Sequence, residues 1–283
     1  MSFQNVGSFV KPLIPWFDVP ILEIPIGSMT LPLHGFGLLV ALGFMIGSQT
    51  AMGRARRLGL DPNVINRLVG YLVLGTFVGG HVGYGLMYKT REYLADPIQF
   101  LYAWQGLSSF GGFAVCVPLS IWFFRKEKVN TWAYLDCLAI GMTVGWFFGR
   151  MGCFVAHDHP GTVTHFWLGV YGICPGEGHN VACHDMGLYE ALWSLAMFGI
   201  FSLVDRKALV PGTLVTALGL TYAPIRFAMD FLRPAINDNR FGGLTPAQWF
   251  CILLLGVTSA ALVQRLRSGA ERLVAPPAVP LKA

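Results

Sequence analysis

Seven apolar runs, each long enough to cross a membrane, recur along this chain and constrain its fold more than any other feature. A helix crosses the hydrocarbon core with about 20 apolar residues. The runs lie at 31–53, 68–88, 106–124, 131–150, 186–204, 210–229 and 246–264. A membrane barrel would instead show strands of about ten residues with alternating polarity. The sequence therefore predicts an all-α integral membrane protein with seven transmembrane helices.

The composition favours one membrane domain with short connections. Hydrophobic residues make up 54% of the chain and charged residues only 12%, which is unlike a soluble domain. The first thirty residues lack a basic stretch followed by an apolar one, so we expect no cleavable signal peptide. We predict a single polytopic domain over 1–283, with an N-terminal segment at the outer interface (1–30), one long outer loop (155–185) and a cytoplasmic tail (265–283).

The distribution of positive charge predicts the orientation. Thirteen of the twenty Lys and Arg residues follow the first, third, fifth and seventh runs. Because positively charged loops stay in the cytoplasm, the N-terminus is predicted outside and the C-terminus in the cytoplasm. The basic residues are divided by topology and form no single patch, so we expect no nucleic-acid partner despite a net charge of +5.

The outer loop concentrates side chains that can bind metals. It contains Cys174, Cys183, Asp158, Glu177, His157, His159, His165, His179 and His184. A zinc site needs three or four ligands at coordination distance, and neither Cys-x-x-Cys nor His-Glu-x-x-His spacing is present. On an oxidising face, a disulfide between the two cysteines is the simpler interpretation. We favour it and expect neither a metal nor a cofactor.

Arg150, at the end of the run 131–150, is the first candidate site residue. An ionisable side chain in or beside a membrane span indicates a functional site by default, although it can also extend to the lipid headgroups. On an alternating topology Arg226 lies on the same outer side, and two guanidiniums there form fork-shaped donors suited to a phosphate. An ion pair between Arg226 and Asp230 on one helix face is the alternative, and it leaves Arg150 unexplained.

Several stretches together resemble the bacterial prolipoprotein diacylglyceryl transferases. The family signature runs Gly-Arg-x-Gly-Asn-Phe, then an acid and a glycine. Here it is Gly149-Arg150-Met151-Gly152-Cys153-Phe154, then Asp158 and Gly161. The further similar stretches, in the same order as in the family, are Phe36-Gly37-Leu38, Leu188-Tyr189-Glu190, the segment from Tyr222 to Pro234, and Leu244-Thr245-x-x-Gln248.

This resemblance implies a reaction, its partners and its residues. Members move the diacylglyceryl group of phosphatidylglycerol to the lipobox cysteine of a prolipoprotein signal peptide, and release glycerol phosphate. The resemblance implies a multi-pass protein of the bacterial inner membrane, surrounded by membrane lipids, with its site near the outer leaflet. Arg150 and Arg226 match the arginines that hold the phosphate. The expected substrate-binding residues are Phe36, Cys153, Asp158, Gly161, Glu190, Tyr222, Asp230 and Arg233.

The chain departs from the family pattern at three positions. Phe110 replaces a histidine often proposed as the base for the thiol, Cys153 replaces the signature asparagine, and Phe36 replaces a tyrosine. His157 and His159 are candidate replacement bases, with pKa values that nearby arginines are expected to lower. A thiol is already a few per cent thiolate near neutrality, so catalysis without a base is the alternative.

Two other classes of function stay open. A divergent, non-catalytic phospholipid-binding or transport protein would fit the composition, although the spans show no evident inverted repeat. A metal-dependent membrane hydrolase would need His157, His159 and a further ligand around one ion.

Overall fold

Each of the seven apolar runs overlaps a helix of the structure. The computed structural model describes residues 11–19, 21–26, 29–102, 106–234 and 240–269, so parts of the predicted N-terminal segment and tail, 1–10 and 270–283, lie outside the described residues. The helices are α1 (Gly35–Arg57), α2 (Pro62–Tyr88), the short α3 (Thr90–Ala95), α4 (Ser109–Glu127), α5 (Thr131–Ala156), α6 (Met186–Val204), α7 (Thr213–Met229) and α8 (Pro246–Arg267).

Five helices within the described ranges, α1, α2, α5, α6 and α8, are long and apolar enough to cross a membrane. Helix α4 occupies a predicted run but ends in charged residues, and α7 is 17 residues long. The chain is therefore a mostly helical membrane protein. The count of seven spans and the orientation of the termini stay predictions.

The prediction of an all-α fold was wrong in detail, because short strands flank the helices. Strands β1 (Ile21–Ile26) and β2 (Met29–His34) form an antiparallel hairpin, so the first apolar run becomes helical only from Gly35. In the outer loop, β3 (Pro160–Val163), β4 (Val170–Tyr171) and β5 (Ala182–Asp185) form an antiparallel sheet in the order β3-β5-β4. Backbone groups outside a helix still need hydrogen-bond partners, and these pairings supply them.

The disulfide between Cys174 and Cys183 is confirmed. Cys183 lies in β5 and pairs with Val170 of β4. Both cysteines are buried in a small apolar cluster with Val170 and Ile173. The disulfide therefore joins the turn after β4 to the central strand of the loop sheet.

The described residues group into two compact units, one within 11–50 and 138–269 and the other within 51–137. In the first unit, α5, α6 and α7 share an apolar core of Ala139, Ile140, Met197, Phe201 and Leu214. In the second unit, α2 packs along α4. The prediction of one domain over the whole chain stays a prediction.

Glycines bring α1 and α5 together within the first unit. A Cβ on Gly43 would lie 2.7 Å from the carbonyl oxygen of Gly145, and one on Gly47 would lie 2.8 Å from that of Gly141. Helices approach this closely only where no side chain intervenes. The end of α5, which carries Arg150, is therefore positioned partly by small residues one to three turns earlier.

We expect Gly47→Ala to lower the thermal unfolding temperature of the protein in detergent. Alanine favours a helix by about 1 kcal/mol over glycine, but overpacking against a carbonyl costs typically about 1–3 kcal/mol. Gly53→Ala in the same helix is the matched control, because nothing lies within 4 Å of its Cβ position. Unfolding followed by circular dichroism should show a fall for Gly47→Ala only; equal temperatures for both variants would contradict this account.

Candidate functional site

The carboxylate of Glu190 lies at the centre of the candidate site. It stands in the second turn of α6 and is 2% exposed. Its Oε2 forms an ion pair with Nε of Arg150 at 3.0 Å. The same oxygen accepts hydrogen bonds from the hydroxyl of Tyr222 (3.1 Å) and from Nε1 of Trp146 (3.3 Å). Its Oε1 faces Nε of Arg226 at 3.3 Å. Four donors thus satisfy a carboxylate that would be costly to bury unpaired.

These groups come from three helices, α5, α6 and α7. On α5 and α7 the contributing residues are four apart in sequence, so they lie on one face of the helix. The pairs are Trp146 and Arg150 on α5, and Tyr222 and Arg226 on α7. The guanidinium carbon of Arg150 lies 4.9 Å from the ring centroid of Trp146, which is a cation–π contact. The arginines therefore approach Glu190 from two neighbouring helices.

The start of α6 is fixed against the end of α5. Asp185 caps α6, and its Oδ1 accepts a hydrogen bond from the backbone N–H of Leu188 at 2.7 Å. A Cβ on Gly187 would lie 2.8 Å from the backbone nitrogen of Phe154, so the two helices touch there through a glycine. Burial raises the pKa of Asp185 to about 7. The close approach of Gly187 to Phe154 sets the position of Glu190 along α6 relative to Arg150 on α5.

A second carboxylate, Asp230, extends the network towards α8. Its Oδ1 accepts a hydrogen bond from Nη1 of Arg226 at 2.7 Å and lies 3.8 Å from Nη1 of Arg233. The hydroxyl of Thr245 donates to its Oδ2. Thr245 also caps α8 in a reciprocal capping box with Gln248. Arg226 is thus held between two carboxylates, and the cap of α8 is tied to the same group.

The arrangement suits a phosphate. Glu190 engages the Nε of each arginine, while Nη1 of Arg150 lies 4.0 Å from Sγ of Cys153. The Arg150 and Arg226 side chains are 18% and 14% exposed, so neither is sealed in the core. Two guanidiniums fixed in a low-dielectric surrounding can stabilise an oxyanion strongly.

His157 terminates α5 and belongs to an aromatic cluster. It has a φ of 52°, the left-handed conformation that commonly ends a helix. Its Nε2 donates to the carbonyl of Phe17 at 3.0 Å, and its ring stacks on Trp16 with centroids 4.9 Å apart. These contacts hold the extended N-terminal segment against the end of α5. They do not bring His157 to the arginines.

His159 differs from its expected state. Its Nδ1 is hydrogen-bonded to Oδ1 of Asp158. The hydrogen bond to Asp158 is the main cause that raises the pKa of His159 to about 9, and a hydrogen bond to Cys153 is the second. The expectation that arginines lower this pKa was therefore wrong, because the carboxylate next in sequence is the nearer charge. An imidazole with this pKa is mostly protonated near neutral pH and cannot then accept a proton.

Two predicted substrate-binding residues, Gly161 and Phe36, lie outside the arginine network and make close packing contacts. A Cβ on Gly161 would lie 2.8 Å from Cβ of His184 and 2.8 Å from the carbonyl oxygen of Leu232, so β3 passes close to both. Phe36 is 40% exposed, and its ring would lie 3.0 Å from a Cβ on Gly152. The side chain of Phe110 lies outside the described residues.

The structure brings six of the predicted site residues into one network: Arg150, Glu190, Tyr222, Arg226, Asp230 and Arg233. Two further members of the network, Trp146 and Thr245, were not predicted from the sequence. Trp146 lies one helical turn before Arg150, and this spacing could have indicated that the two side chains share a helix face. The hydroxyl of Thr245 could be placed on Asp230 only in three dimensions.

We expect Glu190→Gln to destabilise the protein strongly. Removing one partner of a buried ion pair costs about 3–5 kcal/mol, and glutamine would leave Arg150 and Arg226 without their shared charge. Glu127→Gln is the matched control, since Glu127 pairs with Arg67 at 2.6 Å on an exposed surface, where ion pairs contribute little. Thermal unfolding in detergent should show a large fall for Glu190→Gln and little change for Glu127→Gln. Similar small effects for both would contradict the central place of Glu190.

Comparison with known proteins identifies the family. Residues 24–264 match the family described as prolipoprotein diacylglyceryl transferase. The phosphatidylglycerol–prolipoprotein diacylglyceryl transferase of Solidesulfovibrio magneticus is 34% identical over 241 residues, 83% of this chain and 89% of that protein. Its counterpart in Chromohalobacter salexigens is 30% identical over 242 residues, 83% and 88% of the two chains. The Haemophilus influenzae protein of that name is 28% identical over 248 residues, 86% and 91%. The chain therefore belongs to the prolipoprotein diacylglyceryl transferase family.

Proposed function

We propose that the chain transfers the diacylglyceryl group of phosphatidylglycerol to the lipobox cysteine of prolipoproteins and releases glycerol phosphate. The observation that carries this proposal is the pair Arg150–Arg226 held on one buried carboxylate, Glu190. The relatives that match most of the chain carry the name of this activity. Both substrates reach such a site from the membrane, which fits a mostly apolar chain.

The reaction exchanges one bond for another. The acceptor sulfur forms a C–S bond to the glyceryl carbon that bears the phosphate, and the C–O bond to the phosphate breaks. The electron pair of that bond leaves on the oxygen of glycerol phosphate, and the thiol proton passes to a base or to water. Negative charge grows on the phosphate during this step, so fixed guanidiniums stabilise the transition state more than the ground state.

The proposed roles follow from the contacts. Arg150 and Arg226 bind the phosphate, and Glu190 with Tyr222 holds their Nε sides in place. Asp230 and Arg233 orient the far side of Arg226. The other proposed substrate-binding residues, at the end of α5, in β3 and at the start of α1, are Cys153, Asp158, Gly161 and Phe36.

Of the two candidate histidines, His159 is the more accessible, but it could act as a base only after losing the proton that it carries near neutral pH. His157 donates through Nε2 to a carbonyl, and its Nδ1 is buried without a hydrogen-bond partner among the described residues. His159 is 34% exposed at its side chain and faces Asp158. Geometry thus leaves His159 accessible to a substrate.

We expect Arg150→Lys and Arg226→Lys each to lower transfer by at least about tenfold, because lysine offers a point charge without the planar fork. The measurement is transfer from phosphatidylglycerol vesicles to a lipobox peptide, with rescue of a transferase-depleted bacterium as a second readout. Arg206→Lys, at an exposed arginine after α6, is the matched control. Transfer at the unaltered rate in both site variants would overturn the phosphate assignment.

The same proposal places the site on the outer side of the bacterial inner membrane, with the C-terminus in the cytoplasm. The arginines in the last turns of α1 and α8 support this orientation. We expect a reporter fused after Lys128 or Lys207 to be cytoplasmic, and one inserted near Gly176 to be external. An external signal at Lys207 would contradict the orientation.

A further inference from the structure

Three side chains with metal-binding atoms meet at the end of α5, beside the arginine network. One ligand atom of each of Cys153, Asp158 and His159 lies within 4.8 Å of the other two. Ligands of a tetrahedral zinc ion, with bonds of about 2.0–2.3 Å, lie about 3.3–3.8 Å from one another. Small side-chain movements would therefore bring the three atoms onto one ion.

The backbone builds this cluster through the end of the helix. The N–H of His157 bonds the carbonyl of Phe154 (3.2 Å), and that of Asp158 bonds the carbonyl of Cys153 (3.4 Å), the two hydrogen bonds of a Schellman motif. This turn folds Asp158 back over Cys153. The carbonyl of His159 then accepts from the N–H of Met186 at 3.1 Å, which ties the cluster to the start of α6.

We propose that Cys153, Asp158 and His159 bind a zinc ion whose fourth position takes the acceptor thiol. The proposal rests on the proposed function for the identity of that thiol. The sequence predicted no metal because the outer loop lacks contiguous zinc-binding motifs, whereas the sulfur of this cluster comes from α5, before that loop.

The chemistry of the ligands favours zinc with an open position. Thiolate, imidazole and carboxylate are the three ligand types that zinc uses, and catalytic zinc sites combine three protein ligands with one exchangeable ligand. Cys153 is buried, while Asp158 and His159 are 41% and 34% exposed at their side chains, so a fourth ligand can approach from their side. A thiolate and a carboxylate neutralise the dication, so the ion would not repel Arg150.

The alternative of Cys153 as a nucleophile is chemically unproductive. Attack by its sulfur on the glyceryl carbon would form a C–S bond in place of the C–O bond to phosphate. That product is a thioether, whose sulfur is not displaced by a second thiol, so the group would stay on the enzyme. The cysteine is therefore more useful as a metal ligand than as an attacking group.

A bound zinc ion supplies what the missing histidine base would supply. A thiol that coordinates zinc loses its proton, here to water, and the bound thiolate is the form that attacks carbon. Its sulfur would then displace the phosphate oxygen, as in the step above. The site lies next to the phosphate position, because Nη1 of Arg150 is 4.0 Å from Sγ of Cys153.

Metal binding is tested first, without reference to activity. The full chain is purified in detergent, stripped with a chelator, dialysed and titrated with zinc against a chromophoric chelator. We expect one zinc ion per chain, and a thiolate-to-metal absorption band when cobalt replaces zinc. Absence of stoichiometric zinc would overturn the proposal.

The ligand assignment is tested by Cys153→Ser, Cys153→Asn and His159→Gln. Each should weaken zinc binding by more than the roughly 10–100-fold that loss of an outer-shell partner causes. Asparagine stands at this position in the family signature, so Cys153→Asn keeps the test valid if serine impairs folding. Cys116→Ser is the matched control, since Cys116 is a free cysteine on α4 outside the cluster. Zinc binding that Cys153→Asn leaves unchanged would overturn the assignment.

The role in the reaction is tested by transfer to a lipobox peptide. The chelator-treated protein should transfer at least about tenfold more slowly, and one equivalent of zinc should restore the rate, with magnesium as the negative control. Full transfer by the zinc-free protein would overturn this role and leave the proposed function standing. Stoichiometric zinc binding without transfer in any condition would overturn the proposed function together with the acceptor role.

Discussion

The rest of the first unit depends on one buried carboxylate shared by two arginines. Glu190 is 2% exposed and lies among helices whose other side chains are mostly apolar. A charge in such a place is tolerated only when it is paired and hydrogen-bonded. The positions of α5, α6 and α7 therefore have to be compatible with both Arg150 and Arg226 reaching the same group, and the apolar core they share supports that geometry.

Rigidity at the site comes from the helix ends as much as from the ion pairs. Asp185 caps α6, Thr245 caps α8, and the hydroxyl of Thr245 also donates to Asp230, which holds Arg226. Each cap satisfies backbone N–H groups that have no partner within the helix. The hydroxyl of Thr245 therefore serves both the cap of α8 and the arginine network. Through Asp230, the end of α8 helps to fix the position of Arg226.

The sequence predicted the helices and the pairing of Arg226 with Asp230, because both leave local signals. Apolar runs have a fixed length requirement, and the four-residue spacing of Arg226 and Asp230 places them on one helix face. The resemblance added Glu190 and Tyr222. The strands of the outer loop were missed because they are two to four residues long and are defined by their pairing partners. The predicted direction of the His159 pKa shift was wrong. That pKa depends on a turn that places Asp158 and Cys153 against the imidazole, and the spacing of residues in the sequence does not reveal this turn.

Two departures from the family signature, Cys153 at the end of α5 and Phe110, bear on the same step of the proposed reaction, the loss of the thiol proton. An asparagine at position 153 can donate and accept hydrogen bonds, whereas a thiol can lose its proton and bind a soft metal. The helix-ending turn brings that thiol to an imidazole and a carboxylate, and the same helix presents Arg150 one turn earlier. In the proposed reaction, phenylalanine at position 110 cannot accept the proton of the acceptor thiol, so that proton passes to another group or to water. Coordination by the proposed metal ion would lower the pKa of that thiol without moving the arginines. Under this proposal, the binding of the phosphate and the activation of the thiol depend on different side chains.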